Sequence, residues 1–282
     1  MQKRVAAIHD ISCFGRCSLT VALPVISAAG IEVSVIPTAV LSTHTGGFDG
    51  FTYRDLTEDI LPVVGHWQSL GLHFDAVYTG FLGSIEQIDI VTQGFGALTD
   101  SDNLILVDPV MADNGALYKI FSPDFPAGMR KLCACADIIV PNMTEAALLA
   151  GDDYAEGPYT RGDIESLLQR LAALGPQRVV LTGVYFGDGE LGAAVYDRGA
   201  VHYLMSRRIE GFYHGTGDVF ASALLSGVLC GLGLTDAAAE AVEFTVKSIE
   251  RTRLAGTDVR FGVNFEAGLS AFADRLNARQ GL

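Results

Sequence analysis

Short, wholly apolar runs recur along the chain, each followed by a longer stretch with helical periodicity. This alternation constrains the fold more than any other feature. Residues 5–9, 32–40, 76–79, 104–107, 138–140 and 178–181 read as strands; 18–29, 54–70, 84–98, 124–135, 144–150 and 163–174 read as helices. Strands that are apolar on both faces must be covered on both faces. The pattern therefore predicts an α/β fold with a mostly parallel central sheet flanked by helices. Two later strands, 192–196 and 201–205, have no helix between them and are joined by Asp197-Arg198-Gly199, which predicts an antiparallel hairpin at one edge. Helices over 217–230, 235–251 and 265–278 close the chain. No internal repeat or Pro/Ser-rich linker interrupts it, so a single domain over 1–282 is expected.

Composition narrows the partners. Apolar residues make up 49% and charged residues 18%, enough for a sizeable core and unlike a disordered chain. Lys and Arg number 19 against 33 Asp and Glu, a net charge of −14, and no basic cluster exceeds Arg207-Arg208. Nucleic acids and acidic membrane surfaces are thereby poor partners. An anionic ligand would have to be held by backbone N–H groups and helix N-termini, helped by few cations or a metal. The five cysteines (Cys13, Cys17, Cys133, Cys135, Cys230) are odd in number, and Cys133 and Cys135 are spaced to face different sides of a helix. Free thiols in a reducing compartment are expected. With no signal-peptide pattern and no membrane-length apolar run, the protein reads as cytoplasmic.

In a sheet of this kind ligands sit beyond the carboxyl ends of the strands. Those ends carry His9-Asp10-Ile11-Ser12, Ser42-Thr43-His44-Thr45-Gly46-Gly47-Phe48, Gly80-Phe81-Leu82-Gly83, Asp108-Pro109-Val110-Met111, Pro141-Asn142-Met143-Thr144-Glu145 and Thr182-Gly183. Near the end, Gly215-Thr216-Gly217-Asp218 opens a long apolar helix. Its glycines can turn successive N–H groups toward an anion. Asp218 there is open to three readings: a helix-favouring charge, a metal ligand, or a proton acceptor for something bound at the glycines. A dinucleotide fingerprint is excluded, because position 220 is Phe and a helix follows in place of a strand. No P-loop sequence occurs. Asp108 is equally readable as a turn residue, and Asn142 with Glu145 as a helix cap; alternatively that amide and carboxylate hold Mg²⁺ through water.

Taken together, Asp108-Pro109-Val110-Met111, Pro141-Asn142-Met143-Thr144-Glu145 and Gly215-Thr216-Gly217-Asp218 resemble, in order and spacing, the ribokinase-like superfamily. With Ser42-Thr43-His44-Thr45 and Thr79-Gly80-Phe81-Leu82-Gly83 they look more narrowly like its pyridoxal/pyridoxamine kinase family, over residues 4 to 255 or so. The resemblance implies a three-layer sandwich without a separate lid domain, and ATP-dependent phosphorylation of a hydroxymethyl group on a planar heterocycle. Asp218 then matches the base, and Gly215, Thr216 and Gly217 the anion hole. Asp108, Asn142 and Glu145 match positions serving Mg²⁺ and ATP, with Asp108 and Glu145 reaching the metal through water. Thr182 matches a phosphate contact, though some relatives carry lysine there. Asp10, His44 and Thr45 match the substrate side; Asp10 stands where better-known relatives carry serine. The resemblance also admits a monovalent cation such as K⁺, and it implies a homodimer.

The implied activity is phosphorylation of a B6 vitamer, with pyridoxamine or pyridoxine ahead of pyridoxal, because no cysteine follows Asp113 where some relatives place one near the aldehyde. The alternatives are a hydroxymethylpyrimidine kinase and a non-catalytic vitamin- or nucleotide-binding protein. Phe14, Phe48, Phe81 and Tyr118 could each face the ring or simply pack, and residues 113–121 are the candidate cover. The helix dipole is expected to keep Asp218 ionised.

Overall fold

The computed structural model describes residues 2–99 and 103–280, so residues 1, 100–102, 281 and 282 of the expected domain lie outside the described residues. By contacts the chain divides into two units, Met1–Leu56 with Ile209–Leu282, and Thr57–Arg208.

The first unit starts with β1 (Arg4–Ser12), buried along most of its length as its apolar run requires. After α1 (Leu19–Ala28), β2 (Glu32–Leu41) pairs parallel with β1. Their register slips just after His9, which stands opposite Pro37, a residue with no N–H to give the ladder. The helix expected from residue 54 begins only at Thr57, because Tyr53–Asp55 form β3, antiparallel to β2. The Leu56 N–H then donates to the Thr38 carbonyl (3.0 Å). Three residues are too few to show a period-two pattern, so the sequence did not mark this strand.

The second unit runs α2 (Thr57–Ser69), β4 (Ala76–Thr79), α3 (Ile85–Leu98), β5 (Leu104–Val107), β6 (Ala112–Asp113), β7 (Ala116–Leu117), α4 (Phe125–Ala134), β8 (Ile138–Ile139), α5 (Met143–Ala150), α6 (Arg161–Ala172), β9 (Arg178–Val184), β10 (Glu190–Asp197) and β11 (Ala200–Arg207). Its strands lie in the order β11-β10-β9-β8-β5-β4. Parallel pairing joins β4, β5, β8 and β9, and β10 and β11 are antiparallel at the edge, as the missing helix predicts. All of β4 and β8 are buried, in keeping with their largely apolar sequences. Arg198 and Gly199 close the hairpin with positive φ of 48° and 101°, the twist a two-residue link needs.

The chain then returns to the first unit with α7 (Thr216–Leu229), α8 (Leu234–Ala255) and α9 (Leu269–Gln280), the last preceded by a single 3-10 turn at Glu266–Gly268. In α7 every residue from Val219 to Gly227 is buried. A helix apolar all round belongs inside a domain, and α7 packs against both α1 and α8. All five cysteines are free thiols, with Cys133 buried and Cys135 exposed as their spacing implies. Among the described residues no helix is long and apolar enough to cross a membrane.

Candidate active site

Gly215 caps α7 in the left-handed region (φ 73°, ψ 4°), and no side chain caps the helix. A Cβ at this position would lie 2.0 Å from the Arg16 carbonyl oxygen, so only glycine fits. The absent side-chain cap leaves the N–H groups of the first turn, at Thr216, Gly217 and Asp218, available to an anion, with the positive end of a 14-residue helix behind them. The segment facing this turn is itself pinned, since the Arg16 N–H donates to the Phe261 carbonyl (3.0 Å).

Asp218 keeps some accessible surface, but dense protein around its carboxyl pushes the pKa up to about 7, with a smaller push from the charge of Asp10. A hydrogen bond from the Ser18 backbone pulls the other way without restoring the usual value. The expectation that the helix dipole keeps this acid ionised is thus corrected: desolvation outweighs the dipole, and near neutral pH the group exchanges its proton readily. Asp10 is buried as well, and burial raises it too, against hydroxyl hydrogen bonds from Ser18 and Ser12 (3.0 Å). Ser18 therefore serves both acids. It does so at φ 55°, ψ −131°, a backbone setting that costs a non-glycine residue about 1–3 kcal/mol, and at the N-cap of α1 without capping that helix. Thr20 ties the turn instead, its hydroxyl donating to the Cys17 carbonyl (2.7 Å).

His44 is buried, with both ring nitrogens committed to backbone: Nε2 to the Arg260 carbonyl (2.6 Å), and Nδ1 as acceptor from the Gly46 N–H (3.1 Å). It makes the polar contact its glycine-rich loop suggested, with both of its own nitrogens spent. Its ring and that of Phe48 meet in a T-shaped pair (5.0 Å), and it lies 5.0 Å from His214. Phe14, half exposed, meets Phe261 at 5.0 Å, and Arg260 covers Phe48. Thr45 is half-buried in the same loop. Of the residues expected in the first unit, Asp10 and Asp218 are brought together; His44 and Thr45 sit in one loop beside His214, the residue preceding Gly215.

In the second unit, Pro141-Asn142-Met143-Thr144-Glu145 grips the small β6–β7 hairpin. Glu145 accepts from the Met111 N–H (3.1 Å) and the Asn142 N–H (2.9 Å), Asn142 Nδ2 donates to the Ala112 carbonyl (2.9 Å), and Thr144 Oγ1 accepts from the Gly115 N–H (3.0 Å). Asn142 Oδ1 in turn caps the Glu145 N–H (2.9 Å), completing a capping box. Glu145 is buried, and that burial raises its pKa. The candidate cover at 113–121 is thus fastened at its base. Its Asn114-Gly115 turn, with φ of 50° and 77°, is a hairpin signal carried by the sequence itself. Asp108 is buried just beyond β5, its N–H donating to the Thr79 carbonyl (2.9 Å). Thr182 lies in β9 with its N–H on the Pro141 carbonyl (2.9 Å), beside Asn142. Phe81 and Tyr118 join a ring ladder with Phe121 and Phe125, so their role is packing.

A family model described as phosphomethylpyrimidine kinase matches residues 23–262. The chain belongs to the phosphomethylpyrimidine kinase family. Among solved structures, this family member resembles a Bacteroides thetaiotaomicron protein described as a phosphomethylpyrimidine kinase and solved with pyridoxal, with a TM-score of 0.92, 36% identity, and 96% of each chain covered. It also resembles pyridoxal kinase from Lactobacillus plantarum, with a TM-score of 0.89, 35% identity and 99% of each chain covered. A curated relative, the pyridoxine/pyridoxal/pyridoxamine kinase of Bordetella avium, is 26% identical over 89% of this chain and 86% of its own. The fold is ribokinase-like, and this member of the phosphomethylpyrimidine kinase family is a phosphotransferase, as its motifs imply.

Ser12 stands in a strand end marked in the sequence, whereas Ser18, Arg260, Phe261 and the ring of His214 carry no such mark. Serine is common near turns, and only the fold brings the other three to the 42–48 loop. The grip of Glu145 has a measurable consequence. Glu145→Ala orphans buried N–H groups at Met111 and Asn142 and destabilises the protein by about 2–4 kcal/mol. Glu145→Gln, keeping an acceptor, loses less. Thermal melts of both variants check this, and an alanine variant as stable as wild type contradicts it.

Proposed function

We propose that this kinase transfers the γ-phosphoryl group of ATP to the hydroxymethyl group of a B6 vitamer, with both units serving one catalytic domain. The observation that carries the reading is Asp218: a carboxyl near pKa 7 placed one residue after a glycine turn whose N–H groups are uncapped. Asp218 accepts the alcohol proton as the oxygen attacks phosphorus, and a base with that affinity is well matched to neutral pH. The N–H groups of Thr216, Gly217 and Asp218 stabilise charge on the transferring phosphoryl without a lysine. On the substrate side, Asp10, Thr45 and the face of His44 receive the ring, beside the half-exposed Phe14.

Asp108, Asn142, Glu145 and Thr182 serve the nucleotide and Mg²⁺. The donor set fits that ion: both oxygens of Glu145 already accept backbone N–H groups. Among the described residues no three His, Cys, Asp or Glu side chains gather as a metal cage. One or two carboxylates acting largely through water suit a cation that keeps its hydration. When bound, Mg²⁺ supplies charge neutralisation on the phosphates. A K⁺ requirement, a homodimer and a cytoplasmic location belong to the same reading.

Pyridoxal bound in the B. thetaiotaomicron relative, and the names of the L. plantarum and B. avium kinases, favour a B6 vitamer over hydroxymethylpyrimidine. Purified protein with MgATP and pyridoxal, pyridoxamine, pyridoxine or hydroxymethylpyrimidine, compared by kcat/KM, tests the proposal. We expect the three vitamers to exceed the pyrimidine at least tenfold, with pyridoxal the weakest of the three. A pyrimidine preference moves the activity to the thiamine branch, and no turnover of any leaves a binding protein.

A further inference from the structure

Ser18 breaks two rules at once. It holds a left-sided backbone (φ 55°) that residues with a side chain rarely adopt, and it sits at the N-cap of α1, where a serine normally bonds the first-turn N–H groups, without doing so. The surrounding structure holds it there. Gly215 comes against the Arg16 carbonyl so closely that no Cβ fits, Gly262 meets Arg16 in the same way, and the Arg16 N–H is fixed to the Phe261 carbonyl. Ser18 is almost fully buried. Both of its donors are turned to carboxyls on different elements: the N–H to Asp218 on α7, and the hydroxyl to Asp10 on β1.

We propose that Ser18 is a positioning residue that links the substrate-side acid Asp10 to the base Asp218, so that seating a cationic heterocycle against Asp10 readies the base. This rests on the proposed kinase reading and extends it to how ring recognition and proton acceptance are joined. The groups facing Asp218 in this cluster are Asp10 from β1, and Cys17 and Ser18 from the segment leading into α1. Cys17 is a buried thiol whose ionisation both acids oppose, so it stays neutral. Asp10 is therefore the charge that acts on Asp218. A protonated ring nitrogen or ammonium group against Asp10 cancels that charge, and Asp218 then releases its proton more easily. A neutral ring does not. Ser18 sets the arrangement because one backbone position fixes the orientation of both carboxyls.

Ser18→Ala and Ser18→Gly test this, measured alongside Asp218→Asn. Both Ser18 variants keep the N–H to Asp218 and lose the hydroxyl to Asp10. Glycine also accepts φ 55° without strain. We expect the vitamer KM to rise about tenfold in both while the ATP KM holds, because a lost hydrogen bond to a charged group is worth about that factor. Without its donor Asp10 holds its proton to higher pH and receives the cation less well there, so the acid limb of kcat/KM moves to higher pH. A purely structural role predicts a lower melting temperature in Ser18→Ala, repaired in Ser18→Gly, with the vitamer KM and acid limb of wild type in both; that result overturns the proposal. Near-normal turnover by Asp218→Asn overturns the base assignment and the link with it. An inactive Asp218→Asn beside Ser18 variants of wild-type KM and pH profile overturns the link alone.

Discussion

Replacing Asp218 by asparagine lowers kcat by about a thousandfold or more, the scale of a positioned general base, and leaves ATP binding nearly unchanged. In the unaltered enzyme kcat/KM rises with pH through a limb near 7, since the protonated acid accepts nothing. The same substitution stabilises the fold. Asp218 has a folded pKa raised from 3.8 to about 7, so the neutral form suits the folded state, and the cost of ionising it is absent below about pH 4 and complete above about pH 7. Allowing for partial solvent access, that cost is on the order of 2–4 kcal/mol. Asparagine never incurs it. Melting temperatures of the two proteins converge at pH 4 and separate as pH rises, in favour of the inactive variant. Equal melting temperatures at pH 8, or an asparagine enzyme with ordinary kcat, contradict the assignment.

Gly215→Ala is expected to be nearly as damaging, for a steric reason. The new methyl group lands 2.0 Å from the Arg16 carbonyl, and φ 73° is already unfavourable for alanine. Either Arg16–Ser18 moves away from α7 or the first turn of α7 rotates, and both displace the N–H groups proposed to hold the phosphoryl. A stability loss above about 3 kcal/mol accompanies a fall in kcat of at least a hundredfold. Calorimetry and steady-state kinetics read the two effects separately. By contrast, no heavy atom lies within 4 Å of a Cβ at Gly217, so alanine there is tolerated far better. Equal behaviour of the two variants argues against the clash.

The parallel strands were legible because much of each is buried and mostly apolar, as in Ala76–Thr79. The late hairpin was legible from its turn. Tyr53–Asp55 was not, because its pairing with β2 comes from tertiary contact and leaves no local pattern. For the candidate site, residue types and order pointed to Asp218, Gly215 and Glu145, but not to their states. Dipole reasoning is local and gave an ionised Asp218; the desolvation that outweighs it comes from residues distant in sequence. The sequence fits Asn142 and Glu145 to either a cap or a metal contact, and their reciprocal hydrogen bonds show the first use to be fully realised. Ser18 shows the limit of local reading most clearly. Nothing around it in the sequence marks a residue that answers to Asp10 and Asp218 together.

The unit holding Asp218 is assembled from both ends of the chain, with the whole of Thr57–Arg208 threaded between. A nascent polypeptide can therefore complete the contiguous unit while β1 and α1 still await α7. The environment that tunes the acid forms only after Thr57–Arg208 has been made, and a ribosome-bound intermediate short of residue 218 has no proton acceptor to misuse.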